Sequence, residues 1–138
     1  MGDDVQPETE GTAVVTLSKK VCLLGDFAVG KTSLVRRFVY DLFDDKYVST
    51  IGVKVSRKTV ILTRGDDIVD LTMMLWDLAG GEEFARMRAS YLRGAAGALL
   101  VYDVSRPESL SSLHQYLRDL QSINGRCAVV LAATKAEL

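Results

Sequence analysis

Gly25-Asp26-Phe27-Ala28-Val29-Gly30-Lys31-Thr32 decides the reading of this chain. The octapeptide fits Gly-x-x-x-x-Gly-Lys-[Ser/Thr], in which glycines allow tight turns with exposed N–H groups, lysine meets terminal phosphates and a hydroxyl meets magnesium. Its flanks agree. Residues 19–25 form an apolar run closing on glycine, and Leu34, Val35 and Phe38 recur at helical spacing within 31–40. Strand, turn and helix in that order aim a helix N-terminus, with its partial positive charge, at a phosphate.

Working outward, residues 53–62 alternate and are rich in β-branched side chains, and a second run covers 68–76 after the turn Arg64-Gly65-Asp66-Asp67. Together they predict an antiparallel hairpin. An apolar segment at 95–102, a helix over 108–123 and a last apolar run at 127–133 continue the series. In that helix Leu110, Leu113, Leu117 and Leu120 follow at three- and four-residue steps, the spacing of a core-facing stripe. Helices alternating with apolar strands predict a three-layer α/β fold. Its sheet is mostly parallel and covered on both faces, with the hairpin supplying one antiparallel edge strand. Ligands of such sheets bind beyond the carboxyl ends of the strands, where the motifs fall.

With 138 residues the chain can bury one ordinary core and not two, so it reads as a disordered tail over 1–16 and one domain over 17–138. It is 48% hydrophobic and 25% charged with a net charge of −1, a soluble globular profile that argues against nucleic acid as partner. Cys22 and Cys127 each lie in an apolar run and read as core residues rather than a disulfide. The longest apolar stretch, 95–101, is far below the roughly 20 residues of a membrane span. The start Met1-Gly2-Asp3-Asp4 is acidic and gives no signal peptide, and Gln6 stands where a myristoylation signal wants Ser or Thr. A cytoplasmic protein is expected, with membrane attachment unsupported. The lone His114 reads as a surface or half-buried helix residue.

Further motifs join the first. Trp76-Asp77-Leu78-Ala79-Gly80 follows an apolar strand, and an aspartate at a strand end reaches magnesium through water. Tyr47-Val48-Ser49-Thr50-Ile51-Gly52 lies between the first helix and the hairpin and offers a hydroxyl to the same ion. Lys54, Arg57 and Lys58 on the hairpin read as a solvated strand face, with contact to acidic partners as the alternative.

The chain resembles the Ras superfamily, and its Rab branch more than the others. The residues that carry this are Gly25-Asp26 with Val29-Gly30-Lys31-Thr32-Ser33-Leu34, then Phe43, Thr50-Ile51-Gly52, Trp76-Asp77 onward to Phe84, and Tyr91-Leu92-Arg93-Gly94-Ala95. The resemblance runs over about 19–138 and implies a phosphate-loop NTPase of the small GTPase type, binding GTP or GDP with Mg2+. By that resemblance Phe27, Ala28, Val29, Gly30, Lys31, Thr32 and Ser33 cradle the phosphates, with Lys31 on the β and γ groups. Thr32 and Thr50 ligate magnesium, and Asp77 holds it through water. Phe43 lies near the guanine, Tyr47 over the phosphates, and the Gly80 N–H senses the γ-phosphate. Thr134, Lys135 and Glu137 read the base. Loops 43–52 and 77–90 become switches that bind effector and regulator proteins when one phosphate orders them.

The chain also departs from the family. Gly81 takes the place of the glutamine that orients attacking water, and Phe27 that of a small residue, where a phenyl ring crowds an arginine finger. Lys31, Thr50 and Gly81 are therefore the catalytic positions of a slow hydrolysis, with Glu82 or Glu83 as the substitute for glutamine. Thr134-Lys135-Ala136-Glu137 stands where the family has Asn-Lys-x-Asp, and the extra methylene displaces a carboxylate that still matches guanine's donors. The chain stops at Leu138, before the family's last strand and helix, so an exposed sheet edge open to association is expected. A hydrolysing switch and a nucleotide-binding scaffold with little or no hydrolysis, a pseudo-GTPase, both stay open. A phosphate-loop ATPase or kinase lacks a second supporting motif.

Overall fold

The run Val14–Leu24 forms the central strand β1, and its side chains alternate between two cores. Cys22 and Leu24 face one side of the sheet, Leu23 the other. In this computed structural model, residues 13–39, 46–48 and 52–135 are described. After β1 come α1 (Lys31–Phe38), β2 (Lys46–Val48), β3 (Val53–Arg64) and β4 (Asp67–Leu78). A single 3-10 turn (Glu82–Phe84) leads into α2 (Ala85–Tyr91), followed by β5 (Gly97–Asp103), α3 (Pro107–Ile123) and β6 (Ala128–Thr134).

The six strands form one sheet in the order β2-β3-β4-β1-β5-β6. β1 is parallel to β4 and β5, and β6 is parallel to β5. β3 alone among these strands runs against its neighbours, pairing antiparallel with both β4 and β2. The hairpin is therefore not the edge: β2, inside the segment read as loop, lies outside it. After β1 the chain continues in β2 at one edge and returns through β3 to β4, and from β4 it crosses to β5 on the other side of β1. Connections that part at the central strand open a crevice at its carboxyl end.

Val35 and Val39 of the α1 region pack on Leu23 and Leu75 on one face. Leu113, Tyr116 and Leu120 of α3 pack with Cys22, Leu24, Leu78 and Leu100 on the other. Pro107 opens α3, where its fixed φ suits the first turn. The buried face of α3 is Ser109, Leu113, Tyr116 and Leu120, and Leu110 of the expected leucine stripe is 43% exposed. The Ser109 hydroxyl sets that rotation, accepting from the Asp103 N–H at 2.9 Å and donating to the Arg106 carbonyl at 2.7 Å.

β1 begins at Val14, so the tail boundary placed at residue 16 falls inside the strand. The long hairpin extends past the core and offers a free edge, and Val14, Val15 and Thr16 pair with Ile68, Val69 and Asp70 of β4. α1 ends at Phe38, with Val39 already extended, and Tyr40 lies outside the described residues. His114 is exposed, and Cys22 and Cys127 are unbridged. Burial pushes the Cys22 thiol up to about 11. Among the described residues β6 is an outer strand, with Val129, Val130 and Leu131 exposed. No helix of the described residues is long and apolar enough to cross a membrane.

Candidate functional site

The loop between β1 and α1 wraps one wall of a cavity of about 550 Å³ at the carboxyl end of the sheet. Two residues in left-handed geometry shape it, Ala28 (φ 64°) and Gly30 (φ 99°), and α1 starts directly after them. Of the expected phosphate-loop residues, Phe27, Ala28, Gly30, Lys31, Thr32 and Ser33 line the cavity. Phe27 stands 80% exposed. Val29 lies beneath, fully buried, with its carbonyl accepting from the Thr134 hydroxyl at 2.6 Å. Thr134 thus ties the end of β6 to the loop.

Asp77, Gly80 and Lys135 reach the same cavity from other elements. Lys31 Nζ is 3.7 Å from Asp77 Oδ1, both groups being buried. Burial pushes the Lys31 ammonium below its ordinary value, and the Asp77 carboxylate opposes that shift. The Thr32 hydroxyl donates to Asp77 Oδ2 at 2.7 Å. With its proton committed to the carboxylate, its oxygen lone pairs are left to a metal. Among the described residues no three His, Cys, Asp or Glu groups converge, so a divalent ion here would rest on Thr32, Asp77 and oxygens brought by the ligand. The residues present fit magnesium held on phosphates.

Lys54 corrects the reading of a solvated basic face. It is only 7% exposed, sits opposite Asp77 in the β3–β4 register and lines the cavity; of that trio Arg57 is exposed and Lys58 half-buried. Lys31, Lys54 and Lys135 thus line the cavity together with Asp77, Lys135 being paired with Asp103, and three ammonium groups on one wall suit a polyphosphate.

The segment after β4 is held by contacts that no motif announces. Gly80 presses against the phosphate loop: a Cβ there would stand 2.4 Å from the Gly25 carbonyl oxygen and 2.9 Å from the Phe27 nitrogen. Gly81 has φ 100° and ψ 156°, a region open essentially to glycine alone. Arg88, buried on α2, donates to the carbonyls of Ala79 at 2.7 Å and Gly81 at 2.8 Å, and its guanidinium lies 4.8 Å over the Tyr116 ring. The Tyr116 hydroxyl accepts from the Gly81 N–H at 3.3 Å and donates to Asp26 Oδ1 at 3.0 Å.

Behind Lys135, Asp103, wholly buried at the end of β5, accepts from Lys135 Nζ at 2.8 Å and from the Ser105 hydroxyl and N–H. These bonds, that to Lys135 foremost, hold its carboxyl well below the usual carboxylate range. Phe43, Thr50 and Glu137 lie outside the described residues, and Tyr47 enters only through its β2 backbone, paired with Lys54. Glu82 and Glu83 are exposed.

Arg88, Tyr116, Asp103 and Lys54 were missed in the sequence. Lys54 was legible from hairpin register, which sets it beside Asp77. Asp103 carried a signal too, as an acid closing an apolar strand. Arg88 and Tyr116 carried none, being ordinary residues of amphipathic helices.

Residues 20–137 match the family described as Ras of Complex, Roc, domain of DAPkinase. The chain is 39% identical to the GTP-binding protein ypt5 of Schizosaccharomyces pombe over 126 residues, 91% of this chain and 58% of that protein. It is 40% identical to the Ras-related protein Rab-22A of Mus musculus over 120 residues, 86% and 60% of the two. Against the GTP-binding protein ypt4 of Schizosaccharomyces pombe it is 35% identical over 120 residues, 86% and 51%. The chain thus spans little more than half the length of these relatives.

Proposed function

The chain belongs to the Ras superfamily of GTPase domains, in its Roc- and Rab-like part, and we propose that it is a guanine-nucleotide switch that binds GTP or GDP with Mg2+ and hydrolyses GTP slowly. The observation that carries this is the meeting of buried Lys31 and exposed Thr32, at the N-terminus of α1, with buried Asp77 of β4 in a cavity that Gly80 also walls. Lys31 neutralises terminal phosphate oxygens, and its depressed ammonium regains a full charge partner when they bind. Thr32 and, through water, Asp77 would hold magnesium, whose charge would neutralise the phosphates. Loops 43–52 and 77–90 are the surfaces for effector and regulator proteins, and Thr134, Lys135 and Glu137 the guanine end.

Slow turnover follows from Gly81 and Phe27. Gly81 offers no side chain to orient water, and Phe27 stands 80% exposed at the mouth of the cavity, where an arginine from a partner would enter. The same two residues favour the second reading, a scaffold that binds nucleotide and hardly hydrolyses it. Nucleotide extracted from the purified protein identifies the ligand; guanosine di- or triphosphate is expected, and labelled GTP should resist competition by ATP. ATP displacing it as well as GTP does would overturn the base assignment. Single-turnover hydrolysis then separates a slow switch from a scaffold.

A further inference from the structure

Three elements meet at one phenol. Tyr116 comes from the middle of α3 and is 6% exposed, so its ring is fixed in the core against Arg88. Its hydroxyl spans the gap between Asp26 of the phosphate loop and the Gly81 N–H of the segment after β4. Burial pushes that hydroxyl above its ordinary value, so it stays protonated near neutrality and keeps donating to Asp26. Arg88 fastens the carbonyls on either side of Gly80. Gly80 itself touches the loop backbone so closely that no side chain fits between them. The Gly81 peptide is thus held at its N–H by Tyr116 and at its carbonyl by Arg88, and its φ of 100° is what turns both groups toward those partners.

We infer that Tyr116 is a positioning residue that sets the backbone of Gly80 and Gly81 against the phosphate loop, and so lets this site tell a nucleoside triphosphate from a diphosphate. The inference rests on the guanine-nucleotide reading above. Where a water-orienting side chain is absent, the geometry of this segment depends on what grips its backbone, and among the described residues Tyr116 is the side chain that hydrogen-bonds both it and the phosphate loop. The two walls of the terminal-phosphate pocket then move as one body. A donor held in place before binding spends no free energy on ordering, so an added phosphate is read at full strength.

The variant Y116F keeps the ring, its packing and the Arg88 stack and deletes only the hydroxyl. Two readouts are taken on the full chain. Hydrogen exchange of the 79–84 backbone, measured without nucleotide, should quicken by roughly two- to ten-fold in Y116F, the range one hydrogen bond commands. The ratio of affinities for a non-hydrolysable GTP analogue and GDP should fall by a similar, roughly two- to ten-fold factor, with GDP affinity little changed. D26A should behave like Y116F, and D26N, which keeps an acceptor oxygen, should restore both readouts. Unchanged exchange overturns the inference whatever the nucleotide data. Faster exchange with an unchanged ratio overturns it as well, because the tether is then structural only. If the unaltered chain binds neither guanine nucleotide, the reading of the site falls and takes this role of Tyr116 with it, while the exchange readout still reports whether the tether exists.

Discussion

The phosphate loop at residues 25–32 and the segment 79–81 face each other across one cavity, and they are held in shape by opposite means. The loop takes its form from its own left-handed turns at Ala28 and Gly30 and from the strand and helix that it joins, with Thr134, Arg106 and Tyr116 adding ties to Val29, Phe27 and Asp26. The facing segment belongs to no regular element. Side chains from α2 and α3 hold it, Arg88 on two carbonyls and Tyr116 on one N–H. A part built locally binds a constant group, the phosphate chain. A part gripped from a distance can change its grip, which a switch requires.

The largest effect should come from Lys31→Met, which breaks the loop's side of the comparison. Affinity for either guanine nucleotide should fall by roughly 100-fold, because charge-assisted bonds to phosphate are lost. Stability should change far less. The desolvation cost of the ammonium is relieved, which offsets part of what Asp77 loses with its 3.7 Å ion pair, and the Thr32 bond at 2.7 Å stays. Equilibrium binding beside urea unfolding separates the two quantities, and a drop in both of like size would show that the loop is not self-supporting.

The same contrast explains what the sequence disclosed. Lys31, Thr32 and Asp77 were legible because a phosphate site needs fixed residue types at fixed spacing next to a strand and a helix, and the alternating apolar runs placed those elements to within a few residues. Misses lie where tertiary contacts decide. The start of β1 at Val14 depends on a hairpin partner more than fifty residues away, and the edge position of β2 on pairing with β3. On α3, Leu113, Leu117 and Leu120 meet the core as their spacing predicts, while Ser109 takes the buried place expected of Leu110. Arg88 and Tyr116 act across long sequence separations on backbone groups, and a backbone acceptor leaves no trace in residue identity.

Arg88→Met breaks the other side. Two partly buried carbonyls, at Ala79 and Gly81, lose their donor, which should cost about 1–3 kcal/mol in urea unfolding. Nucleotide affinity should drop less than in Lys31→Met, and the GTP-analogue preference should shrink first. Unchanged stability would mean that water replaces the guanidinium and that the segment is not gripped from α2.

Gly81 sharpens the comparison from within. Its φ of 100° strains any residue with a Cβ, and that Cβ would meet the Glu83 carboxylate oxygen at 2.8 Å. Gly81→Ala should therefore cost about 1–3 kcal/mol of stability. Gly81→Gln should pay the same strain and fail to raise single-turnover hydrolysis to a glutamine-bearing relative's rate, since the backbone there does not present a side chain to the cavity. A full gain of turnover on that single change would sink the idea that the grip of Tyr116 and Arg88 requires glycine.

The smallest effect is in protons, and it separates the two regions without a mutation. Lys31 titrates lower folded than unfolded, where lysine lies near 10.5, so between the two values the unfolded chain binds more protons. Stability of the nucleotide-free protein should accordingly rise with pH across that window, opposite to what a lysine gaining a carboxylate at the surface would give. Phosphates restore the ammonium, so nucleotide binding in that window should take up a proton. Calorimetry in two buffers of different ionisation heat reads this uptake directly. The uptake should vanish in Lys31→Met and persist in Y116F, because the loop owns the charge and the facing segment owns only the geometry.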